Sequence, residues 1–310
     1  MINKLKNLIN RKKGYSFLYE EHQLAFEILC LIPVKSYFGK ELPTNPISPP
    51  FFRASCLPAS NKRVHNAVKA YMPFLLYNVF KFYGAPKDKR ISIMVIANCI
   101  ALENEIFHEH VLYNTSAMLQ QLDIDLWDEA DRLIKDPPAG WPRSNEVWLD
   151  LRNSAAPKKP LYLSEPSKDF DPDKFARDIH NNIWNGDLSA LQDCYVDNLK
   201  FEGTTNRLFE GLNAYKSYVQ TIRTAFPDLT LQVDEVYWMG NEHDGWLISA
   251  RWSAEGTHLG DGIYKKPSNA SCQLWGITQW RVRSGVIEAE WQLFNEFDLI
   301  MQITKARKQI

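Results

Sequence analysis

His258 stands directly after Gly256-Thr257 and ahead of Leu259-Gly260, at the end of an alternating apolar stretch. An imidazole at a strand end can move a proton near neutral pH or hydrogen-bond a ligand oxygen. The same histidine can instead tie its own loop to Gly260 and Asp261. A second cluster lies at Glu105 and His108, with Glu103, Glu109 and His110 around it. A Glu-x-x-His pair on a helix is part of a di-iron site, but such a site needs a second pair and two more carboxylates. The first half of the chain offers no second pair, so a charged helix face is the expectation here. Cys30, Cys56, Cys99, Cys194 and Cys272 are scattered, with no C-x-x-C spacing. They read as reduced thiols, and none is set up as a nucleophile or metal ligand. Neither a Gly-rich phosphate loop nor a G-x-S-x-G elbow is present. Neither a metal nor an organic cofactor is expected.

The aromatic residues are the other chemical resource. Ten Trp, thirteen Tyr and sixteen Phe suit large cores and apolar pockets. Trp184, Trp252 and Trp291 can wall a binding site, although core packing is the commoner use of such residues. Formal net charge is -1 with a pI of about 6.7, which gives no electrostatic footing for nucleic acid. The longest apolar stretch, Ile91 to Leu102, holds Asn98 and is too short to span a bilayer. No integral membrane segment is therefore expected, and the localisation read from the sequence is cytoplasmic. Residues 1–14 carry five Lys and Arg and no acid, with Ile2, Leu5, Leu8 and Ile9 at helical spacing. This reads as a solvated basic terminus or a short amphipathic helix.

The elements that would position these residues fall into two halves. Residues 15–156 read as a mainly helical domain. Helices are expected over Tyr19 to Leu31, Val64 to Tyr83, Ile91 to His110 and Ser116 to Ile134, from apolar spacings of three and four. Pro157, Pro160, Pro166 and Pro172 mark a linker over residues 157–172. Residues 173–305 open with a helix whose expected N-cap is Asp173 and whose apolar face is Phe175, Ile179 and Ile183. Two more helices are expected, at Leu188 to Tyr195 and Leu212 to Ala225, with a short strand at Leu199 to Glu202 between them. Four strands then run over Leu229 to Met239, Gly245 to His258, Ser271 to Val282 and Val286 to Phe294. Asn241 to Gly245 and Arg283-Ser284-Gly285 supply hairpin turns. Helices followed by antiparallel strands make an α+β order. A strongly curved antiparallel sheet of this kind wraps a helix into a cone and leaves a ligand cavity.

The series Ile183-Trp184-Asn185-x-Asp187-Leu188, Tyr195, Gly211 and Ala225-Phe226-Pro227-Asp228 opens a longer pattern. Val233-Asp234-x-Val236, Arg251-Trp252, Gly256-Thr257-His258-x-Gly260 and Gly276-Ile277-Thr278 continue it. Glu290-Trp291-x-x-Phe294-Asn295-Glu296 and Leu299-Ile300-x-Gln302 close it. In order and spacing this half resembles the SnoaL-like polyketide cyclases (ester cyclases) of the nuclear transport factor 2-like superfamily. The resemblance implies a cofactor-free aldol cyclisation or isomerisation inside an apolar pocket, and a homodimer paired through its sheets. It also implies that Asn295 occupies the family's acid/base Asp position and Gln279 its His position. Neither amide can abstract a proton, so the resemblance leaves His258 as the surviving acid/base beside Asn295 and Gln279. Alternation sets Gln279 on one strand face with Trp275 and Ile277, and points Glu296 away from Asn295 toward the surface. The expected partner is a hydrophobic, oxygenated small molecule, bounded by Trp184, Tyr195, Trp252, Trp275, Ile277 and Trp291. A non-catalytic binding or dimerisation module is the alternative.

Overall fold

The computed structural model describes residues 64–75, 90–102, 105–136 and 167–308. The basic segment 1–14, the expected helix at Tyr19 to Leu31 and the linker prolines before Ser167 lie outside these residues.

The described chain begins with β-structure. Strands β1 (Val64–Leu75), β2 (Arg90–Leu102) and β3 (Glu105–Tyr113) form an antiparallel sheet in the order β1-β2-β3. Helices were expected over Val64 to Tyr83 and Ile91 to His110; the structure corrects the second, and the first over Val64–Leu75, its remainder lying outside the described residues. In β2 the reason is burial on both faces. Ile93 to Asn98 are all buried. A strand covered on both sides carries an uninterrupted apolar run and loses the alternation that marks strands. The β-branched content of Ile91, Ile93, Val95, Ile96 and Ile100 favours the strand. On a strand, Glu105 and His108 lose the i, i+3 helical geometry on which the Glu-x-x-His reading rested. The stretch from Ser116 to Ile134 is two helices, α1 (Thr115–Gln121) and α2 (Leu126–Lys135). Asn114 caps α1 through Ala117 N–H, and Asp125 caps α2 through Trp127 and Asp128 N–H.

The second half contains α3 (Pro172–Asn185), α4 (Ala190–Cys194), β4 (Tyr195–Gly203), β5 (Arg207–Glu210) and α5 (Leu212–Ala225). After these come β6 (Thr230–Asn241), β7 (Gly245–Thr257), β8 (Ser271–Arg283), β9 (Val286–Phe294) and α6 (Glu296–Lys308). Asp171, two residues before the expected cap, receives Asp173 and Lys174 N–H at 3.0 and 3.1 Å, and Pro172 opens the helix. Gly186 ends α3 at φ 115°, a left-handed conformation. Ser284 and Gly285, at φ 51° and 78°, join β8 to β9 by the primed type of turn that matches strand twist.

The six strands are ordered β5-β4-β9-β8-β7-β6. The sheet is mixed where an antiparallel one was expected, because β4 runs parallel to β9. It is curved, and its two faces have different covers. Helices α3 and α5 lie on the inner face. Sheet β1–β3 lies against the outer face, where Met94, Ile96 and Leu112 pack on Ile277 and Leu293, with Trp275 and Trp291 at the margin. Gly276 to Trp280 in the middle of β8 are consequently buried without a break. Gly276 itself makes room for Trp252 from β7: a Cβ there would stand 2.2 Å from the indole.

Candidate functional site

The inner face is built around one carboxylate. Glu290 on β9 is fully buried. Tyr195 from the start of β4 donates its hydroxyl to Oε2 at 2.7 Å, and Tyr215 from α5 donates to Oε1 at 2.8 Å. Trp280 Nε1, one strand away on β8, donates to Oε2 at 2.9 Å. Burial pushes the carboxyl pKa up to about 7, against the pull of those three donors. The hydroxyls of Tyr195 and Tyr215 are raised well above the ordinary tyrosine range, first by burial and then by the neighbouring carboxylate. Glu290 therefore exchanges its proton in the range that acid/base chemistry uses.

Around Glu290 runs a closed circuit of rings. Tyr215 lies 6.4 Å from Tyr218, one helical turn along α5, and Tyr218 lies 6.2 Å from Trp184 on α3. Trp184 lies 6.3 Å from His180, one turn back on α3, and His180 lies 5.1 Å from Trp280, which returns to Glu290. Helical spacing thus puts two ring pairs on the inward faces of α3 and α5.

His180 is buried and uncharged, its pKa lowered to about 3 by desolvation. The Thr278 hydroxyl oxygen receives Trp252 Nε1–H at 3.0 Å and Gln292 Nε2–H at 3.3 Å. With both lone pairs used, Thr278 directs its own proton at His180 Nε2, 3.3 Å away. That fixes the tautomer with the proton on Nδ1. Nδ1 has no protein acceptor, and neither Trp184 Nε1 nor the Tyr218 hydroxyl has a partner. Three neutral donors are therefore buried and unused inside an aromatic shell. Buried polar groups without partners are uncommon, and each carries a desolvation cost that a ligand acceptor can offset.

The residues expected at the site divide between the two faces. Trp184, Tyr195 and Trp252 are on the inner face. Gln279, Trp275, Ile277 and Trp291 are on the outer one, with Ile277 in the cluster shared with β2 and β3. Asn295 precedes α6: its Oδ1 accepts Trp275 N–H at 2.9 Å and its Nδ2 donates to Asp298 at 3.0 Å. The geometry makes it a clamp between β8 and α6. His258 sits in the β7–β8 connection, its Nδ1 3.0 Å from Ser268 Oγ, while its backbone carbonyl accepts Ser268 and Asn269 N–H. Its pKa is lowered, mainly by burial, and its Nε2 has no partner. Glu296 was expected at the surface. It is buried, paired with Arg207 at 2.5 and 2.8 Å and bonded to the Tyr264 hydroxyl at 2.8 Å.

Glu290 and His180 were not picked out from sequence. Alternation along β9 sets Glu290 on one face with Gln292 and Phe294, and a carboxylate on a two-sided buried strand was the available signal. The outer face has its own polar group. Arg251, fully buried, lies 3.3 Å from both Asp234 and Glu235, and a bulge at Asp234 lets both acids face it. Glu235 also reaches His110 of β3 at 3.8 Å, and Ser249 donates to Asn98 of β2 at 2.8 Å. Among the described residues no group of His, Cys, Asp and Glu has metal-binding geometry, and no helix is long and apolar enough to cross a membrane.

A curved mixed sheet with helices on its inner face is consistent with the nuclear transport factor 2-like fold. Residues 174–303 match the family model of the SnoaL-like polyketide cyclases. A solved structure described as a candidate SnoaL-like polyketide cyclase from Jannaschia sp. CCS1 is 12% identical, covering 43% of this chain and 91% of its own, with a TM-score of 0.39. IdmH from Streptomyces antibioticus, described as a candidate polyketide cyclase, is 18% identical over 43% of this chain and 99% of its own, with a TM-score of 0.38. AclR from Streptomyces galilaeus, described as a candidate hydroxylase, is 18% identical over 44% of this chain and 83% of its own, with a TM-score of 0.36. No curated protein matches the chain.

Proposed function

We propose that the interior of the SnoaL-like domain binds a hydrophobic small molecule bearing carbonyl or hydroxyl oxygens, and that Glu290 is its acid/base. The observation that carries this reading is the set of unused neutral donors on His180, Trp184 and Tyr218, within an aromatic circuit closed by a carboxyl of pKa about 7. The aromatic walls favour an apolar body, and the donors favour oxygen acceptors on it. In an aldol closure, ionised Glu290 takes a proton from the carbon next to a carbonyl. The enolate carbon attacks a second carbonyl, and the protonated carboxyl returns the proton to the new alkoxide. A donor such as His180 Nδ1–H stabilises the enolate oxygen as charge develops there. The acid/base role expected of His258 thus passes, in this reading, to Glu290.

The test uses an aryl-substituted linear diketone whose ring closure gives a cyclic β-hydroxyketone, followed by liquid chromatography with absorbance detection. The expected result is closure that Glu290→Gln lowers by at least about 100-fold, the usual scale of a lost general base, and that His258→Ala leaves unchanged. Closure unaffected by Glu290→Gln removes the catalytic assignment. A second reading, binding without turnover, is supported by the three donors that already engage both oxygens of Glu290 in this structure. Native mass spectrometry distinguishes it: a retained ligand lost in a His180→Phe/Tyr218→Phe variant, with no closure activity, leaves a binding module.

A further inference from the structure

The unit β2–β3–α1 repeats the unit β8–β9–α6 position by position. In the first, Val95 lies opposite Tyr113 and Ile100 opposite His108, and the register then slips to Ala101 opposite Ile106. In the second, Gly276 lies opposite Phe294 and Arg281 opposite Ala289, and the register slips to Val282 opposite Ile287. One constant offset in residue number carries the first register onto the second, irregularity included. The same offset carries the helix junctions onto each other. Asn114 N–H donates to Met94 O at 3.1 Å, and Asn295 N–H donates to Trp275 O at 3.1 Å. Gln121 brackets the backbone of Ser92 with bonds of 2.9 and 2.8 Å. Gln302 brackets the backbone of Gln273 with two bonds of 2.9 Å. The offset also pairs identical residues: Ile96 with Ile277, Glu109 with Glu290, Leu112 with Leu293, Asn114 with Asn295 and Gln121 with Gln302. The third strand of each sheet follows the same order, β1 antiparallel to β2 as β7 is to β8. Bulges are individually placed features of a fold, and a bulge and two side-chain brackets do not coincide through general strand geometry.

The contact between the units is reciprocal. Met94, Ile96 and Leu112 occupy the positions that Trp275, Ile277 and Leu293 occupy in the other unit, and these residues pack on one another. The same patch meeting itself is the mark of an isologous, two-fold interface. We infer that one chain carries two copies of a single sheet-and-helix unit, self-paired as an internal dimer, so that β1–β3 takes the outer face a second chain would otherwise cover. The copies have diverged in chemistry. Where the second has Trp280 and Thr278, the first has Cys99 and Ala97. It lacks the indole that binds Glu290 and the hydroxyl that orients His180. The second copy keeps the site, and the first serves as its structural partner.

Self-pairing does not depend on the ligand reading and has its own test. Multi-angle light scattering of the full chain is expected to give the one-chain mass of 35.9 kDa at every concentration. An Ile96→Cys/Ile277→Cys chain, oxidised and mapped by peptide mass spectrometry, is expected to hold the new link within one chain. A two-chain mass for the unaltered protein overturns the inference, as does a link between chains, or no link in a folded variant. If the double variant fails to fold, the mass of the unaltered protein decides.

Discussion

The two faces of the six-stranded sheet bury polar groups by opposite means. On the inner face Glu290 is satisfied by neutral donors, and its charge is disfavoured, so its pKa rises to about 7. On the outer face Asp234 and Glu235 share the buried cation Arg251. Glu235 is held below its ordinary range because Arg251 and its hydrogen bonds outweigh desolvation, whereas burial still carries Asp234 up to about 6. The inner arrangement keeps a proton available, as a reactive site requires. The outer arrangement fixes a charge in place, as an interface requires. Same-strand neighbours such as Trp280 and Gln279 belong to different environments for this reason alone.

The largest effect is expected from Arg251→Ala. It leaves two carboxylates facing each other between the sheets, and breaking a buried pair costs about 3–5 kcal/mol. Urea denaturation measures it, and a loss under about 1 kcal/mol would show that the outer cluster is effectively solvated. Next is Leu293→Ala, which opens a cavity between the sheets and is expected to cost about 2–5 kcal/mol. A much smaller cost, measured the same way, would mean that β1–β3 adds little to the stability of the outer face. Glu290→Gln replaces a group that accepts three hydrogen bonds with one that accepts at a single oxygen. A destabilisation of roughly 1–3 kcal/mol is expected, together with the activity loss described above.

The pH dependence separates Glu290 from its neighbour His180. Glu290 has a folded pKa above its unfolded value near 4.3, so its stabilisation is complete below that value and is lost as pH rises through about 7. His180 is depressed to about 3, so its contribution is complete above its unfolded value of about 6.5 and is lost as pH falls toward 3. Between pH of about 4.5 and 6.5 the two slopes oppose, each by up to about 1.4 kcal/mol per pH unit. Asp234, also raised, adds to the Glu290 direction. In this window Glu290→Gln is expected to shift the stability slope in the positive direction, and His180→Phe in the negative. Identical slopes in the two variants would show that neither group titrates as its burial implies. The smallest effect compares the repeated units directly. Gln121→Ala and Gln302→Ala each remove one bracket, and thermal unfolding should register about 1 kcal/mol for either.

How much of this was legible depends on how many faces of an element are covered. Helix α3 was readable because only one stripe of it is buried: Ile179 and Ile183 recur at helical spacing against a polar remainder. The β8–β9 hairpin was readable because Ser284-Gly285 has local turn chemistry. Strand β2 was not, since covering both its faces erased the period and left a run that reads equally as a buried helix. Of the aromatic residues picked from sequence, Trp184, Tyr195 and Trp252 lie on the inner face. Glu290 was passed over because nothing local marks it: Tyr195 and Tyr215 reach it from far along the chain.

The sequence by itself determined the α+β order of the second half, its caps and turns, and the ordered residues that mark residues 174–303 as SnoaL-like. These are local or pattern properties, written in neighbouring residues. Tertiary structure alone decided which side of the sheet is the inside. Alternation divides a strand's residues into two sets without saying which set meets the helices. That choice moved Gln279, Trp275, Ile277 and Trp291 to the interface and made Glu290 the buried carboxyl, because a pKa is set by the burial and partners that folding supplies.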